Sequence, residues 1–140
     1  MGLTLAIIKP DAVEGRKVGR IVAQLEDEGF AIRATAFVQL DEAGAAEFYA
    51  VHRDRPFYEA LKRFMTSGPV LALALERDEA VAQLRKVIGA TDPAEAEPGT
   101  IRALYAENKE RNAIHASDSD ETAQQELAFF FSKRGLMGAG

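Results

Sequence analysis

The sequence predicts an α/β sandwich in which an antiparallel sheet carries helices on one side. Three observations lead there. The length of 140 residues suits one domain that can bury a core, so 1–140 reads as a single unit. Apolar residues recur with period two or in short continuous runs in some segments and with helical spacing in others. These segments follow one another as strand, helix, strand, helical hairpin, strand, helix, long loop, strand and helix, with no internal repeat.

Leu3 to Ile8 is a β-branched and aliphatic run stopped by Lys9-Pro10-Asp11, which reads as a strand followed by a turn. Val18, Ile21, Val22 and Leu25 then give an amphipathic helix closed by Gly29. From Phe30 to Leu40 the period is two, as in a half-exposed strand. Glu42 to Val51 and Phe57 to Met65 form a helical hairpin, the second arm carrying Phe57, Leu61, Phe64 and Met65 on one stripe. Ser67-Gly68-Pro69 leads into Val70 to Leu75, apolar at every position and therefore a strand covered on both faces. Val81, Leu84, Val87 and Ile88 mark another helix, ended by Gly89. A long loop with a weak helical pattern from Ile101 to Ala106 reaches a brief strand at Ala113 to His115. Ser117 to Glu121 is dense in capping residues, and Leu127, Phe130 and Phe131 face the core from a last helix. The glycine-bearing tail, 132–140, is expected to be loose.

Lys and Arg total 17 against 22 Asp and Glu, a net charge of −5, which argues against a general nucleic-acid or membrane-surface binder. An anionic ligand would need a local cationic cluster. With no cysteine, a disulfide scaffold, a thiolate metal site and a thiol nucleophile are excluded, and a cytoplasmic setting is compatible. The first apolar run lacks a basic leader, and no run approaches membrane-spanning length, so a soluble protein without a membrane partner is expected. Two histidines are too few for a His-rich metal site. Gly15 and Gly19 miss the spacing of a phosphate-cradling loop. His52-Arg53-Asp54 spells a protein-kinase triplet but has Glu59 where that motif needs Asn, and reads as coincidence.

The chemistry concentrates in Asn112-Ala113-Ile114-His115-Ala116-Ser117-Asp118-Ser119, where a histidine ends a strand beside a helix N-terminus. A neutral imidazole is a competent nucleophile there, and a phosphohistidine would fit. The residues by themselves also allow an ordinary histidine ahead of a capping sequence.

This stretch resembles the Asn-x-x-His-Gly-Ser-Asp signature of the nucleoside diphosphate kinases. Ile7 to Val13, Arg55-Pro56-Phe57, Ser67 to Val70, Gly89 to Pro93 and Pro98 to Arg102 resemble further blocks of that family in order and spacing. The resemblance implies a ferredoxin-like four-stranded antiparallel sheet with helices, a helical hairpin and a long phosphate-binding loop. It also implies ping-pong transfer of a terminal phosphoryl from a nucleoside triphosphate, typically ATP, to a diphosphate through His115. Mg²⁺ would arrive on the nucleotide, with no metal held by the protein. Lys9, Arg85 and Arg102 would supply charge around the phosphates. Arg55 and Thr91 match positions that hold the diphosphate, and Asn112 one that bonds the sugar. Phe57 would stack on the base beside Leu61. Tyr49 matches a tyrosine near the nucleophile, and Ser117 and Glu126 groups that orient the imidazole.

Three departures stand out: Ala116 replaces Gly after the histidine, Asp92 stands where Asn is common, and Leu104 where the family usually has Asp. If position 116 required positive φ, Ala would be strained, so a permissive backbone is expected there. Homo-oligomerisation is implied, as tetramer or hexamer, and no specific nucleic-acid partner. Two other readings stand beside it: a catalytically silent nucleotide-binding module on the same fold, and a different enzyme class, a phosphohistidine carrier that serves another protein. The carrier would not need Phe57, Thr91 and Asn112 as a nucleotide clamp.

Overall fold

The computed structural model describes residues 2–136. Its strands are β1 (Gly2–Ile8), β2 (Ala31–Val38), β3 (Val70–Arg77) and β4 (Ile114–Ala116), in one sheet of order β2-β3-β1-β4. Every neighbouring pair is antiparallel. β1 lies between β3 and β4, with Ile8 opposite Leu71 on one side and Ile114 on the other.

The period-two geometry of a strand explains how the layers form. Ala6, Ile8, Leu71, Leu73 and Leu75 enter one buried cluster, while Leu5, Ile7, Val70, Ala72 and Ala74 enter another. Against the first pack α2 (Val18–Asp27) and α5 (Ala80–Ile88), through Ile21, Leu25, Leu84 and Ile88. The short α6 (Ile101–Tyr105) joins them with Ile101. Against the second pack α4 (Tyr58–Met65) and α7 (Asp120–Phe130), through Tyr58, Met65 and Leu127, with Phe48 of α3 (Glu42–Phe48) partly buried beside them. Helices therefore cover both faces, correcting the one-sided arrangement expected from the sequence. With Val70 to Leu75 of β3 apolar at every position, neither face of the central strand can be left to water.

Three boundaries differ from expectation for local reasons. Lys9-Pro10-Asp11 does not merely turn the chain but opens α1 (Pro10–Glu14), with Pro10 in the first helical turn. A proline there loses no helical hydrogen bond and brings its φ already set. The first arm of the hairpin ends at Phe48 and continues as a 3-10 turn, Ala50–His52. β2 alternates exposed and half-buried residues from Ala31 to Phe37 as its period of two predicts, but it ends at Val38 rather than Leu40 and has an irregular register between Ile32 and Ala34.

α7 starts with a reciprocal cap: the Ser119 hydroxyl accepts from the Thr122 amide, and the Thr122 hydroxyl accepts from the Ser119 amide. Phe131 lies one residue past the helix yet is buried in the second cluster. Of the tail expected to be loose, Arg134–Leu136 makes a 3-10 turn and Leu136 packs partly buried on that cluster. Residues 137–140 lie outside the described residues.

Candidate active site

β4 puts His115 where the sequence motif needs it. Its neighbours Ile114 and Ala116 point into the first cluster, so His115, opposite Ile7, points to the other face, toward α3 and α7. There the ring meets Phe48 edge-on, with centroids 5.7 Å apart. Nε2 lies 2.9 Å from Glu126 Oε1, and the Ser117 hydroxyl donates to the same oxygen at 2.6 Å. A carboxylate only accepts, so Nε2 carries the proton and Nδ1 keeps its lone pair. Ser117 is fully buried, and through Glu126 it limits the freedom of the ring.

His115 opens onto a cavity of about 560 Å³ that Lys9, Tyr49, Phe57, Leu61, Thr91, Arg102 and Asn112 also line. Lys9 Nζ donates to Asn112 Oδ1 at 2.8 Å, and Asn112 Nδ2 donates to the Thr91 carbonyl at 3.3 Å. Asn112 Nδ2 retains a second N–H for another acceptor. Arg102 donates from its two terminal nitrogens to the carbonyls of Gly89, at 3.1 Å, and Ile114, at 2.7 Å. It thereby pins the end of α5 to the strand that bears His115. Arg85 donates to the Ala116 carbonyl at 3.3 Å, just behind that strand.

The cluster is cationic and buried. Burial, followed by the charge of Arg102, lowers Lys9 to about 8, although Asp11 opposes the shift. Burial, followed by the charge of Arg85, lowers Arg102 to about 10. Both depressed values describe positive charge held away from water without full compensation, which a polyanionic ligand would relieve. Burial also raises the Tyr49 phenol, with Glu126 adding to the shift, and the Tyr49 hydroxyl has no hydrogen-bond partner.

Most sequence-derived candidates thus converge around this cavity, with Ser117 and Glu126 behind the imidazole. Arg55 sits exposed in the turn before α4 and does not line the wall. Arg85, also exposed, stands behind β4 rather than at the wall. His52, Ala60, Phe64, Lys109 and Glu110 complete the lining and were missed. Phe64 was legible, three residues after Leu61 on the same helical stripe. His52, 5.4 Å from the Phe57 ring, was hidden in the triplet dismissed as coincidence. Lys109 and Glu110 carry no local signal, and only the return of the loop brings them in.

The departures settle quietly. Ala116 is paired with Ala6 in β4, and the non-glycine residues with positive φ are Arg16, Glu79 and Ala113 among the described residues. The Asp92 side chain accepts from the Ala94 amide at 3.0 Å, which ties it to its own turn, and Leu104 is 55% exposed. No group of three or more His, Asp or Glu suited to a metal gathers among the described residues.

A histidine held by a carboxylate, facing a cleft with two buried cations and an aromatic wall, is the equipment of a phosphoryl-transfer enzyme. Comparison with known proteins gives the particular kind. The family model for nucleoside diphosphate kinase matches residues 3–136. A nucleoside diphosphate kinase of Nitratiruptor sp. is 52% identical over 137 residues, covering 98% of this chain and 100% of the relative. One of Sorangium cellulosum is 54% identical over 129 residues, covering 92% and 90%. Among solved structures, the Aquifex aeolicus enzyme superposes with a TM-score of 0.95 at 45% identity, over 97% of this chain and 99% of that one. A Halobacterium salinarum enzyme in complex with CDP gives 0.92 at 40% identity, over 96% and 90%. The chain belongs to the nucleoside diphosphate kinase family. Its fold is the ferredoxin-like one of that family, and its activity is the ping-pong transfer of phosphate between nucleotides.

Proposed function

We propose that His115 carries the phosphoryl group, and that its hydrogen bond to Glu126 is the observation on which this reading rests most heavily. With the proton held on Nε2, the Nδ1 lone pair attacks the terminal phosphorus of a nucleoside triphosphate. The new N–P bond forms as the bridging P–O bond breaks, and the electron pair leaves on the diphosphate. A second diphosphate then attacks the phosphohistidine, and its oxygen takes the group back. Reactant and product anhydrides are chemically alike, so the protein needs only to position the transferring group and neutralise its charge.

Lys9 and Arg102 supply that charge from within the cavity, and Arg85 reinforces it from behind β4. Phe57, 48% exposed with Leu61 behind it, offers the base a flat apolar face, which suits any nucleobase. Asn112 has a free N–H for the sugar, and Thr91 stands beside it for the phosphates. In this reading Arg55 folds in from the turn when nucleotide is present. Tyr49 lines the same cavity as the histidine and keeps a buried hydroxyl without a partner. Mg²⁺ would come bound to the phosphates of ATP and would offset part of their charge.

The same reading places the whole chain, 1–140, as one domain of a cytoplasmic homo-oligomer. No described helix is long and apolar enough to cross a membrane. β2 closes one side of the sheet with an exposed Phe37, and such edges are usually covered or blunted.

The test is to mix the protein with ATP labelled on its terminal phosphate, isolate an acid-labile phosphoprotein, and chase with unlabelled GDP. Label on the native chain that departs as GTP, and its absence from His115→Ala, is expected. Label that cannot be chased would favour a phosphocarrier, and none at all a silent nucleotide-binding module.

A further inference from the structure

Asp11 lies outside the machinery just described, yet it reaches the strained point of the motif. Ala113 has φ of 73°, which costs an L-residue with a Cβ roughly 1–2 kcal/mol. The Ile114 amide donates to the Asn112 carbonyl at 2.9 Å, closing a three-residue turn around Ala113 of the rare, strained kind with positive φ. That turn sets the direction in which Asn112 leaves one end and His115 the other.

The turn is gripped from one place. The Ala113 carbonyl accepts from the Lys9 amide at 2.9 Å, and the Ala113 amide donates to Asp11 Oδ2 at 3.0 Å. Both backbone polar groups of the strained residue are thus held at the N-terminus of α1, by its cap residue Lys9 and by Asp11, more than 100 residues away in sequence. Asp11 is 8% exposed, and its other oxygen has no partner. Burial disfavours this carboxylate, and the Ala113 amide is the foremost of the groups that offset it, with the Lys9 charge and the amides at its own helix start.

We infer that Asp11 is a positioning residue: by holding the Ala113 amide it keeps the turn in its left-handed form, and so fixes the separation of Asn112 and His115. This rests on His115 being the nucleophile. Without the acceptor, the turn relaxes toward ordinary negative φ, His115 shifts against the cavity, and transfer slows although nothing that touches nucleotide has been removed.

Three variants test it, by the single-turnover rate of His115 phosphorylation from ATP, with thermal unfolding measured alongside. Asp11→Ala is expected to slow phosphorylation by roughly 10- to 100-fold, the scale of an ångström's misplacement. Asp11→Asn keeps an acceptor for the amide and is expected to recover most of the rate. Adding Ala113→Gly to Asp11→Ala is expected to restore part of it, because glycine holds positive φ without help. A merely structural role would follow unfolding temperature and would not be answered by a glycine at 113. An Asp11→Asn as slow as Asp11→Ala, or no gain from the glycine, would overturn the inference and leave the charge beside Lys9 as what matters. If the native chain itself takes no phosphate, the functional reading fails instead. Should Asp11→Ala not fold, Asp11→Asn and the double variant still decide the question.

Discussion

Lys9 is held near 8 by its burial and by Arg102, and a phosphate can bind only the protonated form with full charge. The folded value lies below that of an ordinary lysine, so the free protein loses this proton as pH rises through about 8. Bound phosphates favour the charged form, so nucleotide binding takes up a proton above that pH and its affinity falls as pH rises further. Calorimetry in two buffers of different ionisation enthalpy is expected to show that uptake at about pH 8.5 and little of it two units lower. Arg102 has a double part. In the proposed function Arg102→Ala removes charge from the phosphates, and in the fold it leaves the Gly89 and Ile114 carbonyls without their donor. A large loss of turnover is therefore expected together with about 1–3 kcal/mol of stability, read by thermal unfolding. His115→Ala is expected to abolish turnover while unfolding near the native temperature, because β4 is buried through Ile114 and Ala116 rather than through the histidine.

At the level of elements, the critical joint lies where α5 ends. Gly89 has φ of 90° and ψ of −179°, a region essentially reserved for glycine, and a Cβ there would meet Thr100 Oγ1 at 2.5 Å. Gly89→Ala is expected to cost more than about 2 kcal/mol and to loosen the loop that carries Thr91, measured as a lower Tm and weaker nucleotide binding. At the other end of the site Ser119→Ala removes the α7 cap for about 1 kcal/mol, checked by the same unfolding measurement. These elements differ in how far the sequence exposes them. α2, α4 and α5 announce themselves by helical spacing, and β3 by an unbroken apolar run. α1 is hidden because Lys-Pro-Asp is as good a turn as it is a helix start. His115 and its capping serines are local and legible, as is Phe57 on its stripe. The Lys9–Asn112 and Asp11–Ala113 bonds are not, since a hydrogen bond across the sheet leaves no periodicity. Nor does the sequence reveal the strain at Ala113, which no glycine advertises.

On the scale of the molecule, an acidic chain with net charge −5 keeps a buried cationic pair at one end of its sheet. Long-range attraction is therefore weak, and raised salt is expected to change nucleotide binding less than it would for a basic surface, a comparison that titration at two ionic strengths supplies. Sedimentation is expected to give a mass that is a multiple of the monomer, with Phe37→Asp shifting it toward smaller species. The bond from Lys9 to Asn112 joins residues 103 apart. In kinetic terms, the cavity exists only once the chain has closed nearly its longest loop, a step that confers no activity until it is complete. During synthesis the proposed nucleophile and its carboxylate emerge after the rest of the cavity wall, so a ribosome-bound chain is expected to stay inert until Glu126 has cleared the exit. Recovery of turnover after dilution from denaturant then reports the meeting of Lys9 with Asn112, and it should lag behind the return of helical signal.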